Sequence, residues 1–378
     1  MNTIRVLHLS PTDIRYDSRI LKELKSIAKM TDYNVCGIGI ASDKAAKIYK
    51  QEQNFTVITL HLVTGALKIF PRPILYALTM TEMTVRLILN SIRHHPNIVH
   101  CHDTMTLPAG VFVKFITGAK LVYDAHELES NKNGQTKILS KATFLIEKRC
   151  WPKIDHLITV SNSIISWYEK NIGVKSNSLI LNSPMINRVD SVPNKYFHKL
   201  YNIPLNKFVF AYLGILGHGR GIDYILETFC SENIESHIVF IGYGELEKKI
   251  REISLQRNNI HLHASVPHED VVSVVKNADI GLCLIENVSL SDYYCLPNKL
   301  FEYTFAGIPV LASNFPDIRE IVEEYELGKC CDFDHLSIAH AIVGLENNMP
   351  KRITTDLTKL GWQAQAEKLV GVYKRLIL

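Results

Sequence analysis

The sequence predicts an α/β fold of two doubly wound parallel-sheet units, and three observations carry that expectation. The chain has 378 residues, more than the roughly 250–300 at which a single hydrophobic core stops growing. Short apolar, β-branched runs alternate with helical patterns, which is the rhythm of a parallel sheet. That rhythm stops once, in a polar passage dotted with Asn and Pro from Asn182 to Lys207, and then restarts. In chain order the first unit's expected strands are Ile4 to Leu9, Tyr33 to Ile40, Phe55 to Leu60, Ile98 to Cys101, Lys120 to Tyr123, His156 to Val160 and Ser178 to Leu181. The second unit's are Phe208 to Leu213, His237 to Ile241, Ile260 to Leu262, Ile280 to Cys283 and Pro309 to Ala312. At the end, Trp362, Ala366, Leu369, Tyr373 and Leu376 or Ile377 fall on one helical stripe, so a closing helix is expected to pack there. The expected domains are 1–187, 188–360 and the helix 361–378.

Composition narrows the class. Hydrophobic residues make up 47% of the chain, enough for full-sized cores. No charge-free run reaches the roughly 18 apolar residues of a spanning helix, and Arg5 with His8 interrupts the apolar start where a signal peptide needs an unbroken core. A cytoplasmic, soluble chain is therefore expected. The eight cysteines include no Cys-x-x-Cys pair, which argues against a disulfide framework or a zinc site. Charge is shared unevenly: residues 1–190 hold 24 Lys and Arg against 15 Asp and Glu, and residues 191–378 hold 18 against 23. A basic first half suits nucleic acid, anionic lipid or a phosphorylated acceptor, and dispersed solvated lysines explain it equally well. Nucleic acid is the weakest of these partners, because the basic residues are not interleaved with aromatics in any recognisable module.

In open α/β sheets ligands bind at the carboxyl ends of strands, so polar residues just past each strand are the candidates. After the first strand, Asp17 or Ser18 can cap the next helix, and Arg19 in its first turn calls for a negative partner. No G-x-G-x-x-G stands in this loop, which weakens a nicotinamide or flavin reading. His100-Cys101-His102-Asp103 ends one strand and Asp124-Ala125-His126-Glu127 the next. Their alternation along strands, without helical i, i+4 spacing, argues against a metal site. His126 is the better functional candidate, able to hydrogen-bond a sugar hydroxyl, with a structural histidine as the competing account. In the second unit Gly214-Ile215-Leu216-Gly217-His218-Gly219-Arg220-Gly221 lies between strand and helix, where glycines let backbone approach an anion and Arg220 can clamp a diphosphate. A plain connection with a surface Arg competes. Val266 ends a later strand where backbone groups can read a base edge; the acidic helix start that follows is the bland alternative. Pro297, Gly307 and Pro309 bound a helix from Asn298 to Ala306. Lys299 near its N-terminus opposes the helix dipole unless an anion sits there, and Glu302 shares its face.

Taken in order, three motifs resemble the family 4, or group 1, glycosyltransferases: Tyr-Asp-Ala-His-Glu-Leu (123–128), Leu-Gly-Ile-Leu-Gly-His-Gly-Arg-Gly (213–221), and Pro-Asn-Lys-Leu-Phe-Glu-Tyr (297–303) with its Ala-Gly-Ile-Pro-Val continuation. The resemblance runs over nearly the whole chain. It implies the GT-B fold, two Rossmann-like domains facing across a cleft with the C-terminal helix packing back toward the first. It also implies transfer of a sugar from a UDP- or GDP-sugar to a saccharide or lipid-linked acceptor, with retention and without metal or other cofactor. By position, Glu302 matches the glutamate that holds the donor ribose. Arg220 and Lys299, with Gly214 and the helix start at Asn298, Lys299 and Leu300, match the diphosphate site. Val266 sits where the base is read, and His126 matches the histidine that approaches the transferred sugar. Asp17, Ser18, Arg19, His102 and Asp103 fall in loops on the acceptor side.

One departure matters: where the family carries a first glutamate that touches the sugar, this chain has Tyr294. Asp292, Asn287 or Glu286 are the available substitutes. A second basic residue usual just after Gly214 is replaced by Ile215 or Leu216. The mechanism expected is same-face attack, with the departing phosphate accepting the acceptor's proton. The segment Leu67 to Arg93 mixes apolar residues with Lys68, Arg72, Arg86 and Arg93, a pattern able to lie on the anionic inner face of a cell membrane, or to pack as an ordinary helix. A role in bacterial surface polysaccharide synthesis would fit. The competing functions are a nucleotide-sugar 2-epimerase and a catalytically silent nucleotide-sugar-binding subunit of a polysaccharide assembly complex.

Overall fold

The computed structural model describes residues 3–42, 48–50, 55–64, 70–185 and 192–378. The chain divides into two compact units, one of residues 1–180 with 365–378 and one of residues 181–364. The boundary expected at 187/188 lies outside the described residues, as do Leu67, Lys68 and Ile69.

The first unit is built on β1 (Arg5–Leu9), β2 (Asn34–Ile40), β3 (Ile48–Lys50), β4 (Phe55–Leu60), β5 (Ile98–His102), β6 (Lys120–Ala125), β7 (His156–Thr159) and β8 (Asn177–Leu179). The sheet order is β3-β4-β2-β1-β5-β6-β7-β8, and only β3, on the edge, runs antiparallel to its neighbour. Val6, Val35, Val57, Ile98, Val122 and Ile158 fill one face of this sheet together with Ile20, Leu24 and Ile27 of the Ser18–Met30 helix. Leu369, Val370, Val372 and Tyr373 of the Trp362–Ile377 helix complete that core. Of the closing stripe read from the sequence, Leu369, Tyr373, Leu376 and Ile377 pack in the first unit's core, while Trp362 belongs to the second unit.

The second unit contains β9 (Val209–Leu213), β10 (His237–Ile241), β11 (Ile260–His263), β12 (Ile280–Cys283), β13 (Val310–Ser313) and β14 (Gly328–Cys331), all parallel in the order β11-β10-β9-β12-β13-β14. Alternate residues of β9 feed two cores, as a period of two requires. Val209, Ala211 and Leu213 join Leu300, Phe301 and Tyr303, whereas Phe210 and Tyr212 join Ile225, Phe229, Ile338 and Ile342. The expected helix from Asn298 spans Asn298–Phe305, with Ala306 as its C-cap and Gly307 at φ 73°. Among the described residues no helix is long and apolar enough to cross a membrane.

Each sheet reverses its winding once. From β1 the chain adds β2 and β4 on one side and then returns to place β5 on the other; from β9 it adds β10 and β11 and returns to place β12. These are topological switch points, where adjacent crossovers leave on opposite faces and open a crevice at the strands' carboxyl ends.

Among the described elements not expected are two strands and a short helix. β3 has three residues and pairs only with β4, and β14 reads Gly-Lys-Cys-Cys, with no β-branched residue to mark it. The Tyr196–Leu200 helix is five residues long and sits in the polar passage, too short to show a period.

One contact fixes the Asn298–Phe305 helix against the sheet. The Tyr303 hydroxyl accepts from Leu213 N at 2.7 Å and donates to Ala211 O at 3.0 Å, while its ring lies over Gly281. A Cβ on Gly281 would stand 2.2 Å from Tyr303 Cγ. Gly281→Ala is therefore expected to lower stability by about 1–3 kcal/mol, the usual scale of overpacking, seen as a lower urea midpoint with unchanged slope. Gly344→Ala, inside the His335–Asn347 helix with nothing within 4 Å of the new Cβ, is expected to raise the midpoint instead.

Candidate active site

The second unit's switch point gathers the residues that the motifs selected there. The loop after β9 is pinned to the next strand-to-helix turn: Leu216 N donates to Tyr243 O at 2.8 Å and Leu246 N to Leu216 O at 2.9 Å. Gly242 makes this approach feasible, since a Cβ there would meet Gly214 O at 1.9 Å. Gly214 itself is exposed. From β12, Glu286 reaches back so that its Oε1 accepts from Gly221 N at 3.2 Å.

The Asn298–Phe305 helix aims its N-terminus into the same region. Pro297 occupies the N-cap and no side chain caps this end. The Leu300 amide already donates to Pro297 O at 3.1 Å, and the Leu300 side chain is fully buried, so of the three residues assigned to the helix start only Asn298 and Lys299 remain suited to an anion. The Lys299 ammonium is buried without a hydrogen-bond partner, 4.1 Å from the centroid of the Tyr212 ring. A cation–π contact is worth about 0.5–2 kcal/mol, less than the several kcal/mol that an unpaired buried ion loses in hydration. Lys299 Nζ is thus buried with no hydrogen-bonding group of the described residues to satisfy it.

Arg220 Nη1 lies 4.0 Å from Asp292 Oδ1. Burial pushes the nearby Cys295 thiol far above its usual range and Asp292 adds to this, while Arg220 and Lys299 both pull it down. The two cations therefore act on one side chain. Glu302 is buried and its Oε1 lies 3.6 Å from His268 Nδ1. Val266 is half-buried against the core that holds Leu300 and Tyr303. Of the three substitutes for the absent acid, Asp292 accepts from the Ser289 hydroxyl at 2.6 Å, Glu286 holds the glycine loop, and Asn287 is exposed.

The first unit's switch point holds a different kind of chemistry. Asp17 caps its helix by accepting from Arg19 N at 3.1 Å and Ile20 N at 3.0 Å, and Ser18 is that helix's first residue. The negative partner that Arg19 requires lies inside the unit: its guanidinium donates to both oxygens of Asp124, at 3.0 and 3.3 Å, and approaches Glu23 at 3.2 Å. Arg19, Glu23, Asp124, His8, His100 and His102 are all buried. Arg19 and His102 thus face inward rather than toward an acceptor. His126 and Asp103 remain partly open, each with 21% of its side chain exposed and 3.8 Å apart. Asp103 takes φ 61°, a strained conformation for a non-glycine residue.

Electrostatics divide the histidines. Burial holds His8 well below its usual range, and takes His100 down to about 3 and His102 to about 4, so these rings are neutral. Burial would lower His126 too, but Asp124 and Asp103 outweigh it and raise it to about 9. Burial would raise Asp124, yet Arg19 and then His126 hold it well below the carboxylate range. Burial and Asp124 push Glu23 up to about 8. The sequence had signalled the edge cluster but not Glu23 or Tyr373. Glu23 reads as an ordinary exposed helix residue, and Tyr373 lies 273 positions from the His100 ring that it touches.

These shifts set a pH dependence of stability. His126, raised in the folded state, contributes fully below its unfolded value near 6.5 and loses that contribution as pH climbs through about 9. The neutral buried His100 and His102 act oppositely: the unfolded chain gains protons below about 6.5 and stability falls toward acid. Thermal unfolding followed from pH 5 to pH 9.5 is expected to show a maximum near pH 6.5–7. His126→Gln should flatten the alkaline limb only.

A family model described as glycosyl transferases group 1 matches residues 195–355, and one described as glycosyltransferase family 4 matches residues 40–184. No curated protein sequence matches the chain. Among solved structures, sucrose-phosphate synthase from Thermosynechococcus elongatus is 15% identical with TM-score 0.79, over 98% of this chain and 99% of that one. HepE of Anabaena, solved in complex with UDP-glucose, is 12% identical with TM-score 0.69, over 97% and 100%. A glycosyltransferase from Rickettsia africae is 12% identical with TM-score 0.67, over 100% and 99%. These similarities are of fold, and with the two family models and the motifs at both switch points they place this chain among the group 1 glycosyltransferases of GT-B fold.

Proposed function

We propose that the protein moves a sugar from a nucleoside-diphosphate donor to a saccharide or lipid-linked acceptor, with retention, in bacterial surface polysaccharide synthesis. One observation carries the donor assignment. The Lys299 ammonium is buried and unpartnered beside a helix end that no side chain caps, and Arg220 acts on the same neighbourhood. A diphosphate satisfies all three. That HepE was solved with UDP-glucose, and an E. coli neighbour with UDP-2-fluoro glucose, favours a uridine donor.

When the glycosidic bond breaks, negative charge grows on the leaving phosphate. Arg220, Lys299 and the amides of Asn298 and Lys299 stabilise it; preorganised donors of this kind are worth about 3–4 kcal/mol each. Glu302 holds the ribose hydroxyls, and Val266 with Gly214 borders the base and phosphates. Among the described residues of this site no side chain is placed as a nucleophile, and we assign same-face attack, with the leaving phosphate accepting the acceptor's proton; a chemical step without metal is assigned on the family resemblance. His126 is assigned to the transferred sugar on the resemblance of its motif. The second reading is a silent nucleotide-sugar-binding subunit, and Tyr294 in place of the acid is what favours it.

For the acceptor, we propose that the first unit meets an anionic membrane. The consecutively packed helices Arg72–Ile92, Leu107–Thr117 and Lys137–Cys150 expose Ile74, Leu89, Phe112, Phe115, Ile116 and Ile138. Lys137 and Lys141 stand on the third helix, whereas Arg86 is already paired with Glu82 at 2.7 Å.

Arg220→Ala and Lys299→Ala are each expected to lower kcat about a hundredfold while weakening nucleotide binding much less. Glu302→Ala should weaken UDP binding by about tenfold or more, read by calorimetry. Wild-type kinetics in all three variants would sink the assignment, and normal nucleotide binding without transfer to any acceptor would favour the silent subunit. Flotation with vesicles should carry the protein upward with anionic lipid and not with neutral lipid alone. Phe115→Ser with Ile116→Ser should abolish it.

A further inference from the structure

The buried histidines of the first unit form a circuit with a direction. His126 Nε2 lies 3.0 Å from His102 Nδ1, and His102 Nε2 lies 2.9 Å from His8 Nδ1. His8 Nε2 lies 3.1 Å from the Tyr373 hydroxyl, which lies 2.5 Å from His100 Nδ1. Three nitrogens of the circuit approach one atom without hydrogen-bonding it: His126 Nε2 stands 3.4 Å, His100 Nε2 3.5 Å and His102 Nδ1 3.6 Å from Asp124 Oδ2. The rings of His8 and His100 stack at 4.5 Å, and those of His100 and His102 at 4.4 Å, as neutral imidazoles can.

Four bonds in series allow only two fully satisfied directions, because each neutral imidazole and the one hydroxyl carry a single proton. Run from His100 outward, the circuit leaves a bare lone pair of His100 Nε2 facing the Asp124 carboxylate, with His126 Nε2 beside it as the acceptor from His102 Nδ1. Run from His126 inward, His100 Nε2–H faces it and His126 Nε2–H is shared between it and His102 Nδ1. Two N–H groups and the one lone pair of His102 Nδ1 then stand near Asp124, against one N–H and two acceptor nitrogens in the other direction. Asp124, fixed as an anion by the two-toothed contact with Arg19, selects the second direction.

We propose that this circuit beside Asp124 keeps a proton on His126 Nε2 in both the charged and the neutral ring, so that Nδ1 is the atom offered to substrate, as N–H in the cation and as a lone pair in the neutral ring, and that Tyr373, His8, His102 and His100 are positioning residues for it. Nδ1 is the ring nitrogen on the Asp103 side, where the side chain is partly open. The groups acting on the His126 ring are Asp124 and His102 from neighbouring strand ends, Asp103 from the β5 loop, and Arg19 and Glu23 from the Ser18–Met30 helix. Lys132 and Glu129 act on Asp103 in turn. His8, Glu23, His100 and His102 also have the composition of a metal site, with ligand atoms within 4.8 Å of one another. In the circuit, however, His8 Nδ1 and His102 Nε2 are committed to each other, and the Arg19 guanidinium stands 3.2 Å from Glu23, where it would oppose a metal cation.

The role of His126 in transfer rests on the function proposed above; the tautomer does not, and can be read without substrate. In full-length protein labelled with 15N-histidine, long-range proton–nitrogen spectra at pH 7.5 are expected to show His8, His100 and His102 all as neutral Nε2–H tautomers and His126 as a cation. His126 should lose its proton with an apparent pKa near 9 and pass to Nε2–H alone. Tyr373→Phe opens the circuit at its one hydroxyl. It should leave neutral His126 as a mixture of tautomers, lower its apparent pKa by about one unit, a tenfold change in the proton equilibrium, and reduce kcat with nucleotide affinity unchanged. Nδ1–H tautomers at His8 and His102 in the wild type would overturn the proposal, and so would a His126 spectrum unmoved in Tyr373→Phe. A stoichiometric divalent metal on His8 and His102, found by elemental analysis and chelation, would overturn it in favour of a metal centre. Tautomers as expected with unaltered kcat in Tyr373→Phe would confine the failure to the role of His126 in transfer.

Discussion

Both units depend on one constraint of parallel sheets. Every strand must be entered from the same end, so each connection crosses a face of the sheet, and where the winding changes side two neighbouring carboxyl ends are left without a shared cover. Here those ends belong to β1 with β5 and to β9 with β12. The residues that cannot be explained by packing collect there: the glycine loop and Glu286 in the second unit, and the histidine strand ends with Asp103 in the first. The rest of each unit is apolar layering that holds these ends in register.

The two ends solve the problem of buried charge in opposite ways. In the first unit the account closes internally, since Arg19 and His126 as cations stand among Asp124 and Asp103 as anions, with Glu23 and three imidazoles kept neutral. Most of this cluster is hydrogen-bonded, with both Glu23 oxygens and His100 Nε2 left without a hydrogen-bond partner, and removing a bonded member leaves its partner unsatisfied in low dielectric. In the second unit the account stays open, with Lys299 lacking any counter-charge that hydrogen-bonds it. On the function proposed above, a ligand's charge would complete it.

Much of this was legible in the sequence, because parallel strands buried on both faces announce themselves as apolar runs. The limits expected for β2, β4, β10 and β12 fall within one residue of those observed. The helix at Asn298 was equally plain from Pro297, Gly307 and Pro309. What failed to register had no periodic signal: β14 lacks branched residues, and β3 is three residues long. Site residues followed the same rule. Arg220 stood out because it follows glycines that let backbone approach an anion, and Lys299 because a cation at a helix start is locally unfavourable. Arg19 stood out for that reason too, but its partner Asp124 is 105 positions away and no local pattern connects them. Tyr373 looked like one more apolar residue of a stripe, since its ring does pack in the core and only its hydroxyl reveals the polar task.

That last helix gives the first unit a discontinuous chain. Residues 365–378 supply core side chains to strands that are translated first, and residues 181–364 come between them. At the ordinary elongation speed of about 5–20 residues per second, roughly ten to forty seconds separate the emergence of β8 from that of Tyr373. Throughout that interval Val6, Val35 and Ile98 lack part of their apolar cover, and His8 and His100 lack the hydroxyl that joins them. The first half of this polypeptide must therefore wait on the ribosome, incomplete and sticky, for its own far end.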